Sequence, residues 1–380
     1  MVPRLAHCGL MRPLLDLFPF AAALPVGAGR RPGFRLVLRI GGLSGAGEVA
    51  PLPAFGTETH AAASAALPAA AGAIAAWRDL PGLLAGGDPE PIEAWLDEVL
   101  PAGLPATRSG LETCLLDALA RARGLPLHGL LAGVAGKAGS ATGEAGAGAA
   151  LPLNAMVVAG PGCRDEALRA AAAGFGTIKV KVGALPATGA ARLLRELSAD
   201  LGTGVVLRAD AGRSWAAPAA REFLAATADL PLAYVEEPCA DLLAFLEAEP
   251  GARVAADESA CPADRAWSWL AAPRVPEVFV LKPALFGGLL AARRFTIAAR
   301  ARSSAVVVTS ALDGEIGHLA AAHLALAMPA APPAFGPGAL PAPPACGLGT
   351  LAQVPAPAGC WSIRGGRLHL PAGPGLGVPT

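Results

Sequence analysis

Thr-Ile-Lys-Val-Lys-Val (177–182), Val-Val-Leu-Arg-Ala-Asp (205–210), Ala-Tyr-Val-Glu-Glu-Pro (233–238), Val-Ala-Ala-Asp-Glu-Ser (254–259), Val-Phe-Val-Leu-Lys-Pro (278–283) and Val-Val-Val-Thr-Ser (306–310) follow one another through the second half of the chain. Each run is short, rich in β-branched residues and followed by a helix-like Ala/Leu/Arg segment, which is the pattern of βα units on a parallel sheet. A repeat of roughly 20–30 residues suits a βα barrel. Lys181, Asp210, Glu236, Asp257 and Lys282 fall at or near the C-terminal ends of these runs. In a βα barrel those ends surround one site. Three acids and opposed lysines there make a reactive centre, not a fold-maintaining core.

The rest of the chain is read outward from this series. Residues 33–40 alternate like a strand of an antiparallel sheet with one wet face. Gly41–Gly47 reads as a turn, and Glu48-Val-Ala-Pro-Leu-Pro as a loop too proline-rich for a strand. From His60 to Leu100 helices are expected, interrupted at Pro81 and at Gly86-Gly-Asp-Pro. Leu111, Leu115, Leu116, Leu119 and Ala122 share one helical face, and Gly124 supplies a stop. Residues 1–131 therefore read as an α+β domain, 132–150 as an Ala/Gly connector, 151–344 as the barrel, and 345–380 as a segment completing the first domain. The hairpin expected around Gly365-Gly366 is assigned to that first domain as well.

Composition narrows the function classes. The chain has 380 residues with 30 Lys+Arg against 30 Asp+Glu, so it carries no basic stripe for nucleic acid. Mean hydropathy is positive, but the apolar residues are spread out and no span of about 18 forms a membrane helix. The seven cysteines (Cys8, Cys114, Cys163, Cys239, Cys261, Cys346 and Cys360) form no C-x-x-C pair. They read as reduced thiols of a reducing compartment, the cytoplasm or a plastid stroma. Pro3, Pro13, Asp16 and Pro19 break up any secretory apolar region before Pro25, and no transit peptide is evident.

Lys179 and Lys181 leave the same face of their strand, which is costly unless that face lines a cavity with partners. Asp210, Glu236 and Asp257 would repel one another without a cation among them. Oxygen-only ligands on rigid strand ends suit Mg²⁺, with Mn²⁺ as the alternative. By alternation Glu237 and Glu258 point away from the barrel axis. Lys282 lies four strands from Lys181 and so stands opposite it. Arg208, two residues before Asp210, shares its inward face as a candidate for a substrate anion, for the metal carboxylates or for a structural ion pair. His318 and His323, five apart on a helix-like run, invite a metal reading but read as solvated or helix-packing residues. Such a site suits removal of a proton α to a carboxylate, with a lysine as base.

Lys-Val-Lys (179–181), Arg-Ala-Asp (208–210), Glu-Glu-Pro (236–238), Asp-Glu-Ser (257–259) and Leu-Lys-Pro (281–283), in this order and spacing, resemble the muconate-lactonising subgroup of the enolase superfamily. Superfamily sites pairing a Lys or His base with Mg²⁺ are a worked pattern of tuned acid–base chemistry. The resemblance extends to Gly47–Pro53, Leu111–Asp117 and Pro374–Val378, and implies a modified (β/α)₇β barrel under an α+β capping domain. Residues 153–160, 175–183 and 282–288 resemble the o-succinylbenzoate synthase family of the plant, algal and cyanobacterial type. That implies Lys181, Lys282 and Lys179 as catalytic groups, Asp210, Glu236 and Asp257 on the metal, and Arg208, Ser310 and Asn154 at a small carboxylate substrate. It also raises fusion to or association with other quinone-pathway enzymes. N-acylamino acid racemases, dipeptide epimerases and muconate-type cycloisomerases share the same constellation. A catalytically silent scaffold fits poorly with all three acids and both lysines present. Two departures from the family pattern stand out, Asp210-Ala-Gly212-Arg213 and Ser310-Ala-Leu-Asp313-Gly314.

Overall fold

The computed structural model describes residues 12–23, 30–133, 149–249, 251–328, 344–354 and 361–380. Most of the Ala/Gly connector, the proline-rich passage 329–343, Cys8 and Cys360 lie outside these residues. The N-terminal part is an antiparallel sheet of β1 (Leu14–Ala23), β2 (Arg30–Ile40) and β3 (Leu43–Val49), in that order. It is followed by α1 (His60–Ala76), α2 (Leu80–Gly86), α3 (Glu90–Val99), α4 (Pro105–Ala122) and α5 (Leu127–Gly133). Leu36, Leu38 and Ile40 on β2 are buried, as their alternation predicts.

Two expectations fail in this layer. The stretch from Leu43 to Val49, read as a turn running into a proline-rich loop, is β3, and the prolines follow it. Its glycines are there for packing. A Cβ on Gly45 would stand 2.2 Å from the Cys114 carbonyl oxygen, and one on Gly47 would stand 2.1 Å from that of Gly110. Bare backbone lets α4 lie directly on the strand. The N-terminal stretch, read only for targeting signals, supplies β1.

The second part opens with β4 (Ala150–Pro152) and then alternates β5 (Ala155–Val158), α6 (Cys163–Ala172), β6 (Thr177–Lys181), α7 (Ala187–Leu201), β7 (Val206–Asp210) and α8 (Ala217–Ala226). It continues with β8 (Leu232–Glu236), α9 (Leu242–Ala248), β9 (Val254–Ala256), α10 (Ala263–Ala271), β10 (Val278–Leu281), α11 (Leu289–Ala301), β11 (Ala305–Val308) and α12 (Glu315–Ala327). Strands β5 to β11 form one parallel sheet in sequence order. Parallel bridges from Cys346 to Leu153 and from Gly347 to Thr309 join its two edges, so this short segment acts as the eighth stave. The fold is a modified TIM barrel with an N-terminal α+β capping domain.

The C-terminal hairpin does not pack on the first domain as expected. β12 (Ser362–Arg364) and β13 (Arg367–His369) pair with β4 beside the barrel. It is the last residues that reach the capping domain, where the Leu376 N–H donates to Asp117 on α4 at 2.6 Å.

Inside the barrel, alternation builds two tiers. Tyr234, Ala255, Val278, Val280, Ala305 and Val307 form a small apolar cluster of their own in the lower tier. One residue pair further along the strands, toward their C-terminal ends, stand Lys181, Asp210, Glu236, Asp257 and Lys282. The outward residues Ile178, Val180, Leu207 and Leu281 belong to the larger core beneath the helices. No helix among the described residues is long and apolar enough to cross a membrane.

Candidate active site

Strand register decides which charges meet. Lys181 lies beside Asp210 on the neighbouring strand, and Asp210 beside Glu236 on the next. The Lys179 ammonium reaches both acids, 2.6 Å from Glu236 Oε1 and 3.0 Å from Asp210 Oδ2. Lys181 Nζ stands 3.0 Å from the same Asp210 oxygen. Lys282, one residue past β10, donates to Asp257 Oδ1.

The two opposed lysines differ in setting. The Lys181 side chain is 47% exposed at the open mouth, whereas that of Lys282 is 4% exposed. Burial pushes the Lys282 ammonium down to about 8, with the Lys179 charge adding to the effect against the pull of Glu236 and Asp210. Burial also opposes the charge on Lys179, but Glu236 and Asp210 outweigh it and hold its pKa above the usual lysine range. Asp210 is held low by Lys179 and Lys181, which overcome its own burial.

The three carboxylates therefore stand on neighbouring strand ends, each turned toward an ammonium. Among the described residues, no three acidic, histidine or cysteine side chains converge on a single ion position. The donor set nevertheless fits a divalent cation. It consists of oxygens alone, and Glu236 Oε2 is buried with no hydrogen-bond partner among the described residues. That orphaned acceptor is the group a hard cation would satisfy. The Gly212 N–H, at one of the two departures from the family pattern, donates to Asp210 Oδ1 at 3.1 Å and fixes the carboxylate's other oxygen.

The substrate-contact candidates lie elsewhere. Arg208 is fully buried in the lower tier, where its guanidinium bonds Asn154 Oδ1 at 3.2 Å and the Ala345 carbonyl at 2.8 Å. It also sits 5.1 Å from the centroid of the Tyr234 ring. Neither Arg208 nor Asn154 is brought to the acids. Ser310 is buried past the end of β11, with its hydroxyl 2.9 Å from His318 Nε2. Thr350 Oγ1 reaches the same nitrogen, also at 2.9 Å. His323 stacks on His128 with ring centroids 5.2 Å apart, and burial pushes its pKa down to about 3. Both α12 histidines are packing groups.

Several residues escaped the sequence reading. Met156 and Val158 pair in register with Lys179 and Lys181 and so share their inward face, yet they are 47% and 58% exposed. They form an apolar wall beside Lys181, and their alternation with buried Val157 was the available signal. Across the mouth the Phe55 ring, carried on the capping-domain turn Pro53–Phe55, lies 5.4 Å from Lys282 Nζ. Glu258 is half-buried within reach of the acids' charge. Burial raises its pKa, and the nearby charges of Glu237, Glu236 and Asp210 raise it further. A short 3-10 turn at Glu258–Ala260 ends the strand's alternation there.

Known proteins resemble this chain at two levels. A family described as "Enolase C-terminal domain-like" matches residues 162–380. Curated proteins named o-succinylbenzoate synthase from Mycobacterium ulcerans and Mycobacterium tuberculosis are each 36% identical over 203 residues, or 53% of this chain. The chain spans 57% of the length of these relatives. Among solved structures, a dipeptide epimerase from Methylococcus capsulatus complexed with Mg ion gives a TM-score of 0.76 at 25% identity, covering 97% of this chain and 99% of that one. Muconate lactonizing enzyme from Pseudomonas putida gives 0.73 at 23% identity, covering 97% of both chains, and shows the fold alone. With the family matched over more than half its length, the chain belongs to the enolase superfamily.

Proposed function

We propose that the protein is an o-succinylbenzoate synthase, eliminating water from 2-succinyl-6-hydroxy-2,4-cyclohexadiene-1-carboxylate in quinone biosynthesis. The observation that carries this reading is the mouth itself. An exposed lysine stands over three strand-end acids, with Met156 and Val158 as an apolar wall on one side and Phe55 with Lys282 on the other. A flat, largely apolar ring bearing a carboxylate matches those surfaces. The relatives bearing the same name support the assignment.

In this reading Asp210, Glu236 and Asp257 hold Mg²⁺. The ion supplies positive charge against the substrate carboxylate as its α-carbon loses a proton. Lys181 Nζ accepts that proton, and the same ammonium returns it to the departing hydroxide on the same ring face, so that water leaves and the ring becomes aromatic. Lys282, buried and opposite, keeps its charge near the developing anion and the product ring without exchanging a proton. Lys179 holds Asp210 and Glu236 in register.

A second reading has one observation in its favour. Lys181 and Lys282 stand on opposite sides of the mouth, as an acid and a base on two faces of one α-carbon would. That arrangement suits an N-acylamino acid racemase or a dipeptide epimerase, and the likeness to the Methylococcus capsulatus enzyme supports it. Parallel assays with Mg²⁺ separate the two. Aromatisation of the cyclohexadiene carboxylate without epimerisation of N-acylamino acids or dipeptides supports the synthase. Epimerisation without aromatisation overturns it.

A further inference from the structure

We infer that Glu237, which the proposed chemistry leaves unused, is a positioning residue that sets the spacing of the three metal carboxylates. The inference rests on the reading that Asp210, Glu236 and Asp257 hold a divalent cation. Glu237 follows Glu236 directly and has a completely buried side chain. Its carboxylate accepts four hydrogen bonds. Oε1 takes the backbone N–H of Asp257 at 2.8 Å and that of Ser259 at 2.7 Å. Oε2 takes the Ser259 hydroxyl at 2.7 Å and Arg213 Nε at 3.1 Å. These partners belong to the loops after β7 and β9, so one side chain on the loop after β8 joins all three strand ends that carry the acids.

The backbone agrees with this role. Glu237 and Arg213 both have positive φ, at 45° and 63°, and the Arg213 N–H donates to the Glu237 carbonyl at 2.6 Å. Non-glycine residues hold the left-handed region only where their surroundings over-determine it, and such residues gather at functional sites. Glu236 faces the barrel axis, while the next carboxylate turns to the Asp257 and Ser259 backbone N–H groups. Trp269 closes the arrangement from α10, its indole N–H donating to the Ser259 carbonyl at 3.1 Å. A carboxylate with four donors fixes ligand positions in the way outer-sphere partners commonly do, where their loss costs about 10–100-fold in metal affinity.

Direct Mn²⁺ titration by electron paramagnetic resonance tests this without substrate. Glu237→Gln keeps the shape but removes the charge and one acceptor oxygen. It is expected to raise the Mn²⁺ dissociation constant about 10–100-fold, while kcat at saturating metal recovers toward the wild-type value. Ser259→Ala removes only the hydroxyl contact, should weaken Mn²⁺ severalfold, and serves if Glu237→Gln does not fold. Folded variants binding Mn²⁺ as tightly as the wild type overturn the positioning role and leave the metal reading standing. A wild-type protein that binds no Mn²⁺ overturns both.

Discussion

Two sets of acids, at the barrel mouth and at the seam beneath the capping domain, are treated in opposite ways. At the barrel mouth, Asp210, Glu236 and Asp257 face ammonium groups, and Asp210 stays ionised well below its usual range. At the seam between capping domain and barrel, Glu48 and Glu112 accept from backbone N–H groups. The Gly314 N–H at the start of α12 donates to Glu48 at 2.5 Å, and the Leu290 N–H at the start of α11 donates to Glu112 at 2.9 Å. Burial pushes Glu48 up to about 7, helped by Asp313, and pushes Glu112 up to about 8. A carboxylate out of water needs a countercharge or a proton. The seam takes fixed dipoles and a proton, which makes a permanent joint. The mouth takes lysines on flexible stems, which can yield an acid to another cation.

The largest effect expected from this contrast lies at the mouth. Lys181→Ala should lower turnover by at least about 10³-fold, with Mn²⁺ affinity and thermal midpoint kept. Near-normal turnover in a folded variant would remove Lys181 as the base. Next comes Asp210→Asn, expected to weaken Mg²⁺ by more than the roughly 10–100-fold typical of outer-sphere partners. An unchanged calorimetric titration would take Asp210 out of the ligand set.

At the seam the effects are on stability, and Glu48 gives a pH dependence of definite sign. Its pKa rises from 4.5 in the unfolded chain to about 7 in the folded one, so the folded state holds the extra proton between those values. Glu48 therefore contributes stability that falls as pH rises through that window, by about 1.4 kcal/mol per unit of separation. Unfolding midpoints measured from pH 4.5 to 7.5 should show this fall, and Glu48→Gln should flatten it. A slope unchanged in the variant would contradict the assignment. The smallest effect is expected for Glu112→Gln. With its carboxyl already largely protonated at pH 7, an amide should change stability by less than about 1 kcal/mol. Glu112→Ala leaves the Leu290 N–H without its acceptor and should cost about 1–3 kcal/mol.

The same division explains what could be read from the chain alone. The mouth was legible because strand ends follow a period: Lys181, Asp210, Glu236, Asp257 and Lys282 each close an apolar run, and a barrel has one place to put them. Where the backbone leaves that period, the reading stops. Glu258 sits in a 3-10 turn and Glu237 in a left-handed one, so alternation carries no information on the first and gave no role to the second. Arg208 shares the inward face as expected, but its guanidinium turns to Asn154 and the Ala345 carbonyl, whereas Lys179, level with it on β6, reaches the acids. The seam was almost invisible. It depends on contacts far apart in sequence, such as Arg31 on β2 donating to the Leu312 carbonyl at 2.8 Å. The Asp313-Gly314 departure has its reason there as well. A Cβ on Gly314 would meet Glu48 Oε2 at 2.5 Å, so the bare backbone makes room for the carboxylate.

In the proposed function, the mouth acids take a cation and Lys181 then aromatises a cyclohexadiene carboxylate. The most direct test is a spectrophotometric assay of that compound with the wild-type protein, once with Mg²⁺ and once with EDTA. Ring aromatisation at an enzyme-like rate is expected with Mg²⁺, and its loss with EDTA. No turnover by a folded, metal-bound protein, or turnover indifferent to EDTA, would contradict it.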